Sequence, residues 1–70
     1  MITDDQKNLL TERELQILRL IAEGRTTPLI ASEMNLSQET IKWYRKRIMR
    51  KFSASTSAEV VRKAIREEII

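Results

Sequence analysis

The side chains with the most to offer chemically are crowded into one stretch. Between Ser37 and Phe52 stand Lys42, Arg45, Lys46, Arg47, Arg50 and Lys51 against one acid, Glu39, a local balance of +5 in a chain of net charge +3. Residues 1–36 hold four bases and six acids (−2), and residues 53–70 hold three of each. The only tryptophan and the only tyrosine, Trp43 and Tyr44, lie inside the basic stretch. A localised positive surplus suits a polyanionic partner. A solvated helix face accounts for the same charge, and charge alone does not separate the two.

Other chemistries lack their reagents. The chain has no cysteine and no histidine, which removes thiolate metal sites, disulfides and the commonest general base. A single glycine leaves no glycine-rich phosphate loop. Glu67 and Glu68 are paired carboxylates, but adjacent residues on a helix point apart. No catalytic residue, no metal site and no cofactor is expected. Seventy residues allow one domain, which buries only about 60% of its unfolded surface and cannot enclose a large pocket. At 41% hydrophobic and 33% charged the composition is globular. No apolar run approaches the ~20 residues of a membrane span, so no membrane partner is expected. The absence of cysteines fits a cytoplasmic protein.

The elements that must position the basic stretch read as helices throughout, with no strand period. Residues 1–8 read as a polar arm or linker end, and residues 9–70 as the domain. Thr11 and Glu14 stand at capping-box spacing, and Gly24 supplies a left-handed stop, giving a first helix over about 12–23. Its inward side is expected at Leu15, Leu18, Ile21 and Ala22, widened by Ile17 and Leu20. Thr26-Thr27-Pro28 opens a short second helix, about 27–34, with Asn35 as the next left-handed residue. Ser37 caps a third helix, about 38–52, after roughly three residues, a helix-turn-helix outline. Thr56 and Glu59 repeat the capping box before a fourth helix, about 57–68. There Val61, Ala64 and Ile65 are expected inward, with Val60 on a flank. The fold class is all-α: a compact four-helix bundle whose second and third helices form a helix-turn-helix.

On the third helix, Ile41, Tyr44, Ile48 and Phe52 gather on one side, with Arg45 at its edge. Glu39, Lys42, Trp43, Lys46, Arg47 and Arg50 gather on the other, so the basic residues form a stripe around a tryptophan. The second helix of such a pair fits the major groove of double-stranded DNA and reads base edges from its N-terminal half. Lys42, Trp43 and Lys46 are the candidate base contacts: lysine donates to guanine, and the indole offers a flat face to a thymine methyl or sugar edge. Arg47 and Arg50 are placed to meet phosphates. Thr27, Ser37 and Thr40 lie near helix N-termini, where hydroxyls and free N–H groups suit phosphate oxygens.

Leu10-Thr11-Glu12-Arg13-Glu14 followed by Ile17-Leu18-Arg19-Leu20-Ile21-Ala22-Glu23-Gly24 resembles the opening of LuxR-type (GerE-like) helix-turn-helix domains. The resemblance continues through Ile30-Ala31 and Leu36-Ser37, then Ser37-x-x-Thr40-Ile41-Lys42-x-Tyr44-x-x-x-Ile48-x-x-Lys51-Phe52, and closes on Ser57-Ala58-Glu59. It implies a four-helix DNA-binding effector domain of a transcription regulator, often preceded by a receiver or ligand-sensing domain. It also implies base contacts at the positions of Lys42, Trp43 and Lys46, and a homodimer through the fourth helix. Val60, Val61 and Ile65 are the expected interface, since that helix has more apolar surface than a small core needs. Three departures stand out: Pro28-Leu29 where a polar-basic pair is common, Ser53 where a glycine is usual, and Trp43 where a small residue is common. Two other readings keep the fold. One is a protein-interaction module docking on a receiver domain or polymerase with weak DNA affinity. The other is a sigma-factor-type promoter-binding domain.

Overall fold

The computed structural model describes residues 10–70; the polar arm over residues 1–8 lies outside them. Among the described residues there are four helices and no strand: α1 (Glu12–Ala22), α2 (Thr27–Met34), α3 (Gln38–Lys51) and α4 (Ser57–Arg66). No helix among them is long and apolar enough to cross a membrane. Each helix opens on a hydroxyl. Thr11, Thr26, Ser37 and Thr56 sit in extended backbone, and each side chain accepts from the N–H three residues on. Such a cap contributes about 1 kcal/mol, because it satisfies a donor that the first turn leaves unpaired. At Thr11 the box is complete: Glu14 Oε1 accepts from the Thr11 N–H at 2.8 Å. At Thr56 it is displaced by one residue, since Glu59 Oε2 accepts from the N–H of Ser55 instead, at 3.1 Å.

The four helices also end alike. Gly24, Asn35, Ser53 and Glu68 have φ of 86°, 55°, 52° and 58°. The next residue's N–H then bonds back five residues: Arg25 to Leu20 O, Leu36 to Ala31 O, Ala54 to Met49 O and Ile69 to Ala64 O, at 2.8–3.1 Å. This is the Schellman closure, which satisfies carbonyls stranded at the helix end. Gly24 and Asn35 are the stops expected from sequence. The fourth helix is shorter than expected, because Glu68 turns left-handed and swings Ile69 into the core. Ser53 keeps the left-handed turn without a glycine, at a conformational cost of about 1–2 kcal/mol for an L-residue. Ser53→Gly is therefore expected to raise unfolding free energy by about 0.5–1 kcal/mol, less than the full cost because glycine also frees the unfolded chain. Urea unfolding checks this; an unchanged midpoint would show that the serine turn is unstrained.

α3 is the hub, packing against α1, α2 and α4, while α1 also touches α2 and α4. The core is Ile17 and Leu18 from α1, Ile30 and Ala31 from α2, Ile41 and Ile48 from α3, and Val60 and Ala64 from α4, closed by Ile69. Two expected faces are corrected. On α1 the inward arc is rotated toward Glu14, Ile17 and Leu18, and Ala22 is exposed. On α4 Val60 is only 2% exposed and belongs to the core, whereas Ile65 is 58% exposed. α4 is also tied to the foot of α3. Lys63 Nζ donates to Phe52 O at 3.1 Å and to Ser53 O at 3.4 Å, a cation on stranded carbonyls. Packing sets α4's rotation, with Val60 and Ala64 one turn apart in the core, and the Lys63 bonds fit that rotation. Val60 cannot then belong to a surface face. Val61 is half-buried and, with Ile21, Ala22, Ala58 and Ile65, lines an open groove between α1 and α4.

Candidate nucleic-acid interface

Three residues, Asn35, Leu36 and Ser37, join α2 to α3. The left-handed Asn35 makes the turn, half-buried Leu36 anchors it, and Ser37 restarts the helix. Ile41 and Ile48 are fully buried two turns apart, with Tyr44 half-buried between them, so α3 has a fixed roll. The opposite side is consequently a defined surface. Lys42, Trp43, Lys46, Arg47 and Arg50 are all exposed on it, as the helical period requires. Lys42 lies 3.6 Å from Glu39, an exposed pair worth little. Lys46 and Arg50 make no ion pair among the described residues.

Trp43 is 55% exposed, an unusual place for an indole in a small domain. It is not loose. Its ring meets the edge of Tyr44 at 4.9 Å and 79°, and the Arg47 guanidinium lies 5.4 Å from its centroid. Both contacts are on α3 itself, at i+1 and i+4.

Arg47 has a second task that sequence reasoning missed. Its Nε donates to Glu14 Oε2 at 2.9 Å, and Lys51 Nζ donates to Glu14 Oε1 at 2.7 Å. Glu14 is fully buried, so the capping carboxylate of α1 is also the anchor for one end of α3. Burial pushes the Glu14 carboxyl up. The Lys51 hydrogen bond, the Thr11 N–H, the Lys51 charge and the Arg47 bond outweigh that and hold it below its ordinary value. A signal was present: Glu14 stands one turn before Ile17 and Leu18, on the face that must turn inward, and Arg47 and Lys51 are one turn apart. Arg45 is likewise committed, its Nη2 donating to Ser57 Oγ at 2.7 Å and tying α3 to the start of α4.

The three candidate hydroxyls fall in different settings. Ser37 Oγ accepts from the Thr40 N–H at 3.1 Å and lies 2.9 Å from Thr40 Oγ1, so these two hydroxyls form a pair at the head of α3. Thr27 is half-buried at the first position of α2, one residue after the capping Thr26. Two residues on, the apolar Leu29 is 50% exposed. The site thus gathers Ser37, Thr40, Lys42, Trp43, Lys46, Arg47 and Arg50 on one helix. Val61 and Ile65 lie apart from it, on the groove between α1 and α4.

Comparison with known proteins points the same way. The family described as bacterial regulatory proteins, luxR family, matches residues 8–64. The chain is 41% identical over 59 residues to the uncharacterized response regulatory protein YgeK of Escherichia coli, covering 84% of this chain and 40% of that protein. It is 41% identical over 61 residues to the HTH-type transcriptional activator RamA of Corynebacterium glutamicum, covering 87% and 22%. It is 32% identical over 68 residues to the oxygen regulatory protein NreC of Staphylococcus carnosus, covering 97% and 31%. The chain therefore spans well under half the length of these relatives.

Proposed function

The chain belongs to the luxR family of bacterial regulatory proteins, and on that premise we propose that it controls transcription in the cytoplasm by laying α3 in the major groove of specific double-stranded DNA sites. The observation that carries the reading is the outer face of α3. Four cations flank one exposed indole on the second helix of a tight helix-turn-helix, and the buried opposite side fixes which way they point. Lys42, Trp43 and Lys46, nearest the helix start, meet base edges. Arg50, the far side of Arg47, and the hydroxyls at Ser37, Thr40 and Thr27 meet the sugar–phosphate backbone.

Two further parts of the reading follow from the relatives and from α4. An upstream receiver domain delivers the signal, in keeping with relatives named as response regulators. A second copy docks through Val61 and Ile65, which remain on the surface once Val60 is counted in the core. Ile65→Lys is expected to leave stability within about 0.5 kcal/mol, since the side chain is exposed. It should abolish cooperative occupancy of paired half-sites while a single half-site is still bound. Loss of the fold would instead put Ile65 inside the domain.

The direct test is fluorescence anisotropy on duplexes enriched from a random pool. Lys46→Ala is expected to change which base is preferred at one position. Arg50→Ala is expected to weaken all duplexes alike, by about five- to tenfold. A chain that binds no duplex at low salt would sink the proposal, and an equal loss across all base variants in Lys46→Ala would remove Lys46 from the base contacts.

A further inference from the structure

We propose that Arg47 is a positioning residue for Trp43, and that through it the buried Glu14 of α1 sets the pose of the indole that faces DNA. The inference deepens the groove-binding reading and rests on it. An indole on an exposed helix face has several rotamers open to it, and a flexible ring reads no base geometry well. Trp43 has two partners, and they act differently. Tyr44 touches it by its edge at 4.9 Å. Arg47 lies over its ring at 5.4 Å, but an arginine in water is too mobile to hold anything. What immobilises Arg47 is the 2.9 Å bond from its Nε to Glu14 Oε2. Glu14 is itself immobile: it is fully buried, and its other oxygen takes the Thr11 N–H at 2.8 Å and Lys51 Nζ at 2.7 Å.

Fixity therefore passes from a buried carboxylate to a guanidinium, and from that to the ring. Because only Nε is engaged with Glu14, the two Nη groups keep donors for a phosphate while the guanidinium stays over the indole. Arg47 is thus a phosphate contact whose mutation also reaches base preference, unlike Arg50. A pre-set indole loses little freedom on binding and favours the one base step whose methyl or sugar edge fits it.

Trp43 is the sole tryptophan, so its fluorescence reports the pose in the free chain. The variants are Arg47→Met, which keeps an apolar side chain over the ring, and Glu14→Gln, which keeps an acceptor for Thr11. With helical circular dichroism unchanged, both are expected to raise acrylamide quenching of Trp43, Arg47→Met by about twofold. In Arg47→Met, discrimination at the base step under Trp43 should fall from roughly tenfold to about twofold. The same change in a Trp43→Ala background should only weaken binding uniformly. Unchanged quenching in the free chain, with an equal loss on every duplex, would overturn the proposal and leave Arg47 a simple phosphate contact. If the parent chain discriminates between no duplexes, the groove reading fails, and quenching of the free chain still decides whether Arg47 holds the ring.

Discussion

Glu14→Ala is expected to lower unfolding free energy by about 2–3 kcal/mol, the largest stability loss from any single polar side chain among the described residues. Three donors lose their acceptor at once: the Thr11 N–H, Arg47 Nε and Lys51 Nζ. The figure stays below that for a fully enclosed ion pair because both cations reach solvent, Arg47 with 45% of its side chain exposed and Lys51 with 23%. A domain of this size has about 4–10 kcal/mol in total, so the variant should sit near the edge of folding. Glu14→Gln keeps an acceptor for Thr11 and should cost about 1 kcal/mol. The pH dependence separates charge from hydrogen bonding. The folded carboxyl titrates below its ordinary value, so its contribution is complete above the unfolded value of about 4.3 and is lost as pH falls through the folded one. Urea midpoints for the parent and Glu14→Gln should therefore converge as pH falls below the unfolded value and through the folded one. A constant gap across that range would show that the carboxylate's charge adds nothing.

The second large effect is on DNA affinity, which should collapse with salt in a way that counts copies. On α3, Arg50 lies outside the Glu14 network and Arg47 shares its guanidinium with it, while Lys42 and Lys46, seated on base edges between the two phosphate strands, still neutralise part of the adjacent phosphate charge. About three phosphates neutralised by one copy give a log–log slope near −3, and six by two copies a slope near −5. Between 50 and 200 mM salt that is the difference between about fortyfold and about a thousandfold loss of affinity. Arg50→Ala should flatten the slope by about one unit per bound copy. A slope close to zero would mean that binding runs through apolar surface, and the groove at Val61 and Ile65 would become the principal interface.

What could be read from sequence was much of what is settled locally, though not the left-handed turn at Glu68, a residue type that does not announce one. The hydroxyl caps, Gly24, Asn35 and the three-residue turn are local choices of backbone, and each residue type carries its own reason. The outward stripe on α3 was equally readable, because Ile41 and Ile48 leave the helix no other roll. What could not be read depended on partners far along the chain. Val60 and Val61 are adjacent and chemically identical, and the choice between them is made by packing of α4 against Ile17, Leu18, Ile48 and the other core residues, which lie far along the chain. Glu14 was readable as a cap, and that sufficient local explanation concealed its second attachment, to Arg47 and Lys51, 33 and 37 residues away. The same distance explains why Arg47 read as an ordinary phosphate contact.

The matched helix ends bear on how the domain folds. Each helix is closed in front by a hydroxyl and behind by a left-handed residue, through bonds that span at most five residues. Helix lengths are therefore specified by local sequence, while helices of 8–14 residues become stable only as they pack, and topology of this kind folds on the microsecond-to-millisecond scale. The Glu14 bonds are of the opposite sort. They close loops of more than thirty residues, so Glu14→Gln is expected to speed unfolding more than it slows folding, which stopped-flow urea jumps check.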